Sequence, residues 1–412
     1  MNHVVFKGPA TLYVLRRTPD GVAVVLTSPY LSVVPRCLVP LPMLHQHVHA
    51  PFTGTFTHSR REFLASVAAV TASALLPGSR LPALTPRLGS KPELIDVHHH
   101  ILPPVYLALA RDRIIAQGQG YLPATVLQWT PDTTLAEMDR MGVSTAIVSI
   151  STPGVWFGDV DADRRLAREC NQYAASLVRN HPGRFGFFAA VPLPDTEGSL
   201  REIAHALDVL EADGIGLMTS YGDRWPGDPT FAPVFEELNR RSAVVYVHPT
   251  GPHCCRELIP SVPYVMTELP HDTTRAITSL LFAGAFARFR NIRFIFSHAG
   301  GTLPMVAGRI ARQGKAIPEL AAKVPNGVEY ELKRLYYEIA GSANRPAIAA
   351  LTNLVPTSQI LFGSDYPWGR IATTADAMAQ AGFSAADIRA VGRDNALALF
   401  ARLKSHDGHR NP

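Results

Sequence analysis

From residue 93 onward the chain alternates two kinds of hydrophobic pattern. Short apolar runs stand at 94–97, 145–150, 185–191, 214–218, 244–247, 292–296, 335–339 and 360–362, each the length of a strand buried in a parallel sheet. Between them apolar residues recur about every ~3.6 positions, the helical period. Leu166, Cys170, Tyr173 and Leu177 follow Asp163 in this way, and Ile277, Leu280, Leu281 and Gly284 follow Asp272, so each pattern predicts a helix opened by an acidic residue. Eight strands alternating with helices predict an α/β fold, a (β/α)8 TIM barrel over residues 93–401, with 402–412 as a tail. Long connections follow the first strand (101–132), the second (151–162) and the fifth (251–270), and loops at that end of such a barrel form its active site.

Upstream of the barrel the pattern changes. Residues 1–58 are apolar and Pro-rich without clear period, which predicts a disordered leader or a start codon placed too early. Met43 stands at a more ordinary distance from the motif that follows. Ser59-Arg60-Arg61-Glu62-Phe63-Leu64 precedes an apolar, small-residue run at 65–76 and then Pro77-Gly78, the mark of a twin-arginine export signal over 59–86. The run is too short to remain as a permanent membrane anchor. The expectation is export of the folded protein by the twin-arginine translocase to the periplasm or beyond, with no obvious cleavage site between Leu76 and Pro92. His45, His47 and His49 imitate a metal cluster but lie upstream of the signal, and no role is assigned to them.

Composition narrows the function classes. The chain has 412 residues and a formal charge of +5, but residues 1–86 hold seven Lys/Arg against two acidic residues and so carry the whole excess. A nucleic-acid partner needs a basic patch on the folded part, and the barrel segment has none in its sequence. Cys37, Cys170, Cys254 and Cys255 form no CxxC pair, and adjacent cysteines make a poor crosslink, so idle or buried thiols are expected.

The chemistry sits at the strand ends. The first strand ends Asp96-Val97-His98-His99-His100; side chains alternate along a strand, so His98 and His100 share a face and His99 points away. His248 follows the fifth strand, His298 the sixth and Asp365 the eighth. Four strands of one barrel thus present metal-ligating or proton-transferring groups at the same rim.

At these residues the chain resembles the metal-dependent amidohydrolase superfamily, and within it the branch of aminocarboxymuconate-semialdehyde, γ-resorcylate and 6-methylsalicylate decarboxylases. The resemblance spans roughly 93–401 and includes Gly227-Asp228-Pro229, the segment from Glu268 through Asp272 to Arg275, Ser297-His298-Ala299-Gly300-Gly301 through Pro304, and Asp394 to Phe400. It implies that His98, His100, His248 and Asp365 bind metal, that Asp365 and His298 act in catalysis, and that His298 is the acid/base. Dinuclear members bridge two metals with a lysine at the end of the fourth strand; here that place reads Met218-Thr219-Ser220-Tyr221, which implies one metal. Three imidazoles and a carboxylate suit Zn²⁺, with Mn²⁺ as the alternative. Relatives are often homodimers in which a partner residue reaches the site.

Two chemistries use these parts: proton delivery to the carbon that loses CO2, or attack of a metal-held hydroxide on a carbonyl. The resemblance points to decarboxylation of a small cyclic or aromatic carboxylic acid. A hydrolase of amides or lactones and a non-catalytic exported binding barrel are the alternatives. Trp156, Phe157, Tyr221, Trp225 and Trp368 in rim loops are candidate ring contacts. Arg275 and Arg345 are candidate carboxylate clamps, and Glu338, late in the seventh strand, is a candidate support for a ligand.

Overall fold

The structure is a computed structural model that describes residues 4–7, 12–18, 21–27, 94–120, 122–256, 258–400 and 402–403. Two compact units divide the chain, 1–85 and 86–412. The first holds strands β1 (Val4–Lys7), β2 (Leu12–Thr18) and β3 (Gly21–Thr27). They form an antiparallel sheet in which Leu12 pairs with Thr27 and Thr18 with Gly21. Strands thus stand at 4–7, 12–18 and 21–27 within the stretch expected to be disordered, and Val22, Val24 and Val25 in the third are β-branched and suit a pleated strand. The export motif at 59–86, the three upstream histidines, Met43 and Cys37 lie outside the described residues. No described helix is long and apolar enough to cross a membrane.

The second unit is the barrel. Its strands are β4 (Leu94–His100), β5 (Val143–Ser149), β6 (Phe185–Ala190), β7 (Gly214–Met218), β8 (Val244–His248), β9 (Arg293–Phe296), β10 (Tyr336–Glu338) and β11 (Ile360–Leu361). Each pairs with the next in sequence order as one sheet of eight, parallel throughout. The ends of the sheet meet. Val97 N–H donates to Phe362 O at 3.0 Å and His100 N–H to Tyr366 O at 2.7 Å, joining β4 to the segment after β11.

Two apolar cores follow from this closure. Ile95, Val97, Ile147, Phe188, Tyr246, Ile295 and Leu361 fill the inside, and Leu399, Phe400 and Leu403 from the C-terminal segment pack against them. A larger cluster lies between strands and helices. The helices used below are α1 (Pro104–Gly118), α2 (Pro131–Met141), α3 (Val160–Asn180), α4 (Glu268–Phe282) and α5 (Arg345–Leu354). The ends of α2 are written locally: the Thr130 side chain accepts from Thr133 N–H, Pro131 takes the first position, and Gly142 ends the helix at φ 70°, where a residue without Cβ carries no left-handed penalty.

Three expectations about local structure change. The connection 101–132 is largely helical, since α1 buries Tyr106, Ala110 and Ile114 at every fourth position. Asp159, not Asp163, caps α3; Asp163 is buried and accepts from Phe157 and Gly158 N–H, each at 2.8 Å. Cys254 and Cys255 are joined as a disulfide, whereas Cys170 is a buried free thiol. A bridge between neighbours closes no intervening chain, so it fixes only its own turn.

Candidate metal centre

The register of β4 against β5 slips between Asp96 and His99. A one-residue slip exchanges the faces of all that follows. Ile95 and Val97 therefore pack in the barrel interior, and His98 and His100 beyond them still reach the inner mouth. His98 is turned by Glu338, whose Oε1 lies 2.7 Å from His98 Nδ1. That leaves His98 Nε2 facing His100 Nε2 at 2.9 Å. Asp365 Oδ1 lies 3.2 Å from His98 Nε2 and 3.1 Å from His100 Nε2. His99 turns away, its Nδ1 2.9 Å from Asp96 Oδ2.

His98, His100, His248 and Asp365 each offer a ligand atom, and these atoms lie within 4.8 Å of one another. His248 is buried, yet neither of its ring nitrogens has a partner. An unpaired buried polar atom costs ~1–3 kcal/mol, and a cation among these four groups removes that cost for the one ring nitrogen that ligates it. The donor set therefore fits one metal ion. The end of β7 offers no amine for a second: Thr219 and Ser220 hydroxyls donate instead to Asp272 on α4.

Burial and neighbouring charge pull the groups of the cluster in different directions. Burial disfavours the imidazolium of His98, but the carboxylates of Glu338 and Asp365 outweigh it and push its pKa up to about 10. Burial, reinforced by the neighbouring imidazoles, drives His248 well below its ordinary value. Burial also lowers His100, against the opposing pull of Asp365. For Asp365 burial works toward protonation, and the surrounding histidines overcome it and hold the carboxyl well below the usual range.

Two buried carboxylates set the frame. Glu338 also accepts from His298 N–H and Ala340 N–H, each at 2.7 Å. A Cβ on Gly363 would strike Glu338 Oε2 and the Cβ of His98, so only glycine fits beneath that carboxylate. Asp96 accepts from His98 N–H at 3.1 Å, Ser364 N–H at 3.0 Å and Ser364 Oγ–H at 2.5 Å. It thereby ties the first and last strand ends together. Sequence pattern alone missed Asp96, though an acid within an apolar strand is a visible signal. His298, Ala299 and Asp365 have φ of 53°, 58° and 61°, a region costly for residues with side chains. The strain aims His298 Nε2 at Asp365 Oδ2, 3.5 Å away.

Two cavities lie beyond the strand ends, and the inner one adjoins this cluster. The inner one, about 290 Å³, is bounded by His298, Asp365 and Trp368, with Ile114, Leu122 and Leu269 as apolar wall. Trp368 stands edge-on to His100 at 5.2 Å between ring centres. The outer one, about 860 Å³, has Trp156, Phe157 and Tyr221 in its wall. Trp225 borders neither; its indole N–H donates to Asp272 Oδ1 at 2.7 Å. The two candidate arginines are also placed elsewhere. Arg345 is exposed at the start of α5 and donates to Gln380 O at 3.0 Å. Both terminal nitrogens of Arg275 lie 3.2 Å from Glu268 Oε2. An arginine already paired, or on an outer helix, has no fork to offer a substrate, and spacing along the chain does not reveal either condition.

Comparison with known proteins agrees with this architecture. The amidohydrolase family model matches residues 95–402, and the chain belongs to that family. The 6-methylsalicylic acid decarboxylase acuB of Aspergillus aculeatus is 36% identical over 331 residues, 77% of this chain and 99% of its own. The decarboxylase yanB of Aspergillus niger is 35% identical over 328 residues, 75% of this chain and 88% of its own. Among solved structures, the 5-carboxyvanillate decarboxylase of Novosphingobium aromaticivorans with bound manganese shares the fold. Its TM-score is 0.67 at 22% identity, covering 76% of this chain and 96% of that one.

Proposed function

We propose that this chain is a metal-dependent decarboxylase that releases CO2 from a cyclic or aromatic carboxylic acid. The observation that carries the reading is the unpartnered, buried His248 within a three-histidine, one-aspartate cluster, opening on a pocket shared by His298 and Trp368. Its relatives named as decarboxylases support the choice of reaction.

His98, His100, His248 and Asp365 would hold one divalent cation, which when bound orients the acid and offsets negative charge on its oxygens. Glu338 holds His98 in the orientation that leaves Nε2 toward the other ligands. Trp368 and the apolar wall place the ring and keep water from it. His298, held beside Asp365, delivers a proton to the ring carbon bearing the carboxylate. The bond from that carbon to the carboxylate then breaks, its electron pair returns to the ring, and CO2 leaves. In net terms, carboxylate plus one proton gives the decarboxylated ring and CO2, and His298 regains its proton from water.

Donor chemistry supports Zn²⁺, because three imidazoles suit it better than they suit oxygen-preferring ions. The manganese in the 5-carboxyvanillate decarboxylase makes Mn²⁺ the competing outcome, and elemental analysis of protein purified without added metal decides it. The Arg60-Arg61 motif before an apolar run supports twin-arginine export to the periplasm. Fractionation of cells carrying Arg60→Lys with Arg61→Lys, which should retain the protein inside, tests that part separately.

The reaction is tested by following CO2 from salicylate-type acids and muconate derivatives with the metal-loaded enzyme. Turnover of one or more is expected. Inactivity on all of them, with release of acid from amides or lactones, would replace this reading with a hydrolase.

A further inference from the structure

We infer that Cys254 and Cys255 are a thiol–disulfide exchange site, entered by a small thiol at Cys254, that sets how firmly the segment between β8 and α4 walls the cavities. No part of the proposed reaction uses the pair, so its role is independent of which bond the enzyme breaks.

The two neighbouring cysteines are joined. Their bond ties both side chains and the peptide between them into one small ring, which restricts the backbone of that turn and nothing beyond it. The two sulfurs are not equivalent. Cys254 is exposed and Cys255 is buried, so a thiolate arriving from solvent reaches Cys254 Sγ first. A bond then forms between the incoming sulfur and Cys254 Sγ, and the bond from Cys254 to Cys255 breaks. Its electron pair leaves with Cys255 Sγ, which takes the proton that the incoming thiol gave up. A second small thiol attacks the added sulfur, releases Cys254 as a thiol and departs as a disulfide with the first. Two small thiols are thereby oxidised to one disulfide, and the protein disulfide is reduced to two thiols; a small disulfide reverses both steps. Exposed disulfides are the labile ones. Cys170, a buried free thiol, has no such access.

The turn matters because of what it holds. Its segment leaves β8 at His248 and ends at α4. The first residues are pinned from outside: Thr250 N–H donates to Thr219 Oγ1 at 2.9 Å, and its hydroxyl meets Thr152 Oγ1 at 2.9 Å. From Gly251 onward the segment bonds to itself. Cys255 N–H donates to Pro252 O at 3.1 Å, and Arg256 Nε–H to Gly251 O at 3.0 Å. Gly251 lies so close to the Tyr264 ring that a Cβ there would strike it, which couples the turn to Tyr264. That residue borders both cavities, and Gly251 and His253 border the outer one. Leu258, Ile259 and Met266 on the same segment are exposed, so little else packs this wall down. Opening the ring therefore frees the turn and loosens Gly251 against Tyr264. His248 stays in place behind the anchored Thr250.

The test is hydrogen exchange on the metal-loaded full chain before and after treatment with dithiothreitol, removed without air before measurement. Thiol titration of the unfolded chain should find two more thiols after reduction, those of the joined pair. Amides in 251–266 should then exchange ~10-fold faster or more, while 94–100 and 244–248 and the metal content stay unchanged. Benzoate, titrated calorimetrically, should bind ~3–10-fold more weakly to the reduced protein, the scale of re-ordering a side chain on binding. Cys254→Ser with Cys255→Ser should match the reduced protein with or without dithiothreitol, and Cys170→Ser should respond as the parent does. No gain of thiols on reduction, unchanged exchange in 251–266, or a double variant that still responds overturns the inference. Faster exchange that spreads to 94–100 with loss of metal also overturns it, because the turn would then brace the metal ligands rather than the cavity wall.

Discussion

The inner pocket and the outer cavity are built by different means. Around the metal ligands, side chains are fixed from behind by buried carboxylates: Glu338 on His98 and on the His298 backbone, Asp96 on His98 and Ser364. Both ring nitrogens of His248 are left without a partner there, as are His99 Nε2 and the Tyr246 hydroxyl. Around the outer cavity stand arginines from α1 and from the loops after β7 and β8, exposed or half-exposed and, among the described residues, without carboxylate partners, together with the one acid Asp223. The contrast separates a cluster braced on strand ends from a cavity walled by loop and helix side chains. Asp272 joins the two. It lies on α4, whose Leu269 and Pro270 border the inner pocket, and it anchors Ser220 of the outer wall.

Substitutions on either side of that division should behave unlike each other. The largest effect is expected at His298: His298→Ala should lower kcat by ~10²–10⁴, the contribution of a positioned acid/base, with metal content unchanged by elemental analysis. Loss of the metal together with activity would move His298 from proton transfer to the ligand set. Next is the joint. Asp272→Ala strands the Thr219, Ser220 and Trp225 donors and should destabilise the fold by about 3 kcal/mol in denaturant titrations, given ~1–3 kcal/mol per unpaired buried group. An unchanged midpoint would mean that the two regions are not coupled through it.

Glu338→Gln should weaken metal binding by ~10–100-fold, the usual loss when a buried partner of a metal-bound histidine is changed, as read by competition with a chelator. The pH dependence has a definite sign. In the metal-free protein His98 keeps its proton up to about 10, so below that pH a proton must leave as the cation enters. Affinity should then fall ~10-fold per pH unit on acidification, with proton release detectable in buffers of different ionisation enthalpy. A flat profile between pH 6 and 8 would show that His98 is neutral before binding. The smallest effect is expected at Arg345→Ala: within ~0.5 kcal/mol in stability, as for a surface position, with kcat/KM unaltered.

Most of the inner region could be read from sequence because its signals are local. Apolar runs long enough for buried strands lie where the strands are, β7 ending at Met218 in both readings, and the ligating residues follow those runs directly. Alternation predicted that His98 and His100 share a face, and they do. It did not reveal that β4 slips before them, since a bulge is decided by pairing with β5. In the outer region the aromatic wall residues Trp156, Phe157 and Tyr221 were legible in the sequence, but its arginines were not. Whether Arg113, Arg256 or Arg345 meets a cavity depends on which helix face turns inward and on partners distant in the chain. Trp225 shows the same limit: its spacing suggested a ring contact, and the structure commits its indole to Asp272. Asp163 occupied a capping position by pattern, and the helix starts four residues earlier on Asp159.

The central claim, one catalytic metal serving a decarboxylation, is tested most directly by titrating metal into stripped enzyme while following CO2 from an acid that it turns over. The account predicts that CO2 release rises linearly and saturates at one ion per chain. Saturation at two ions per chain, or full CO2 release from the stripped enzyme, would contradict it.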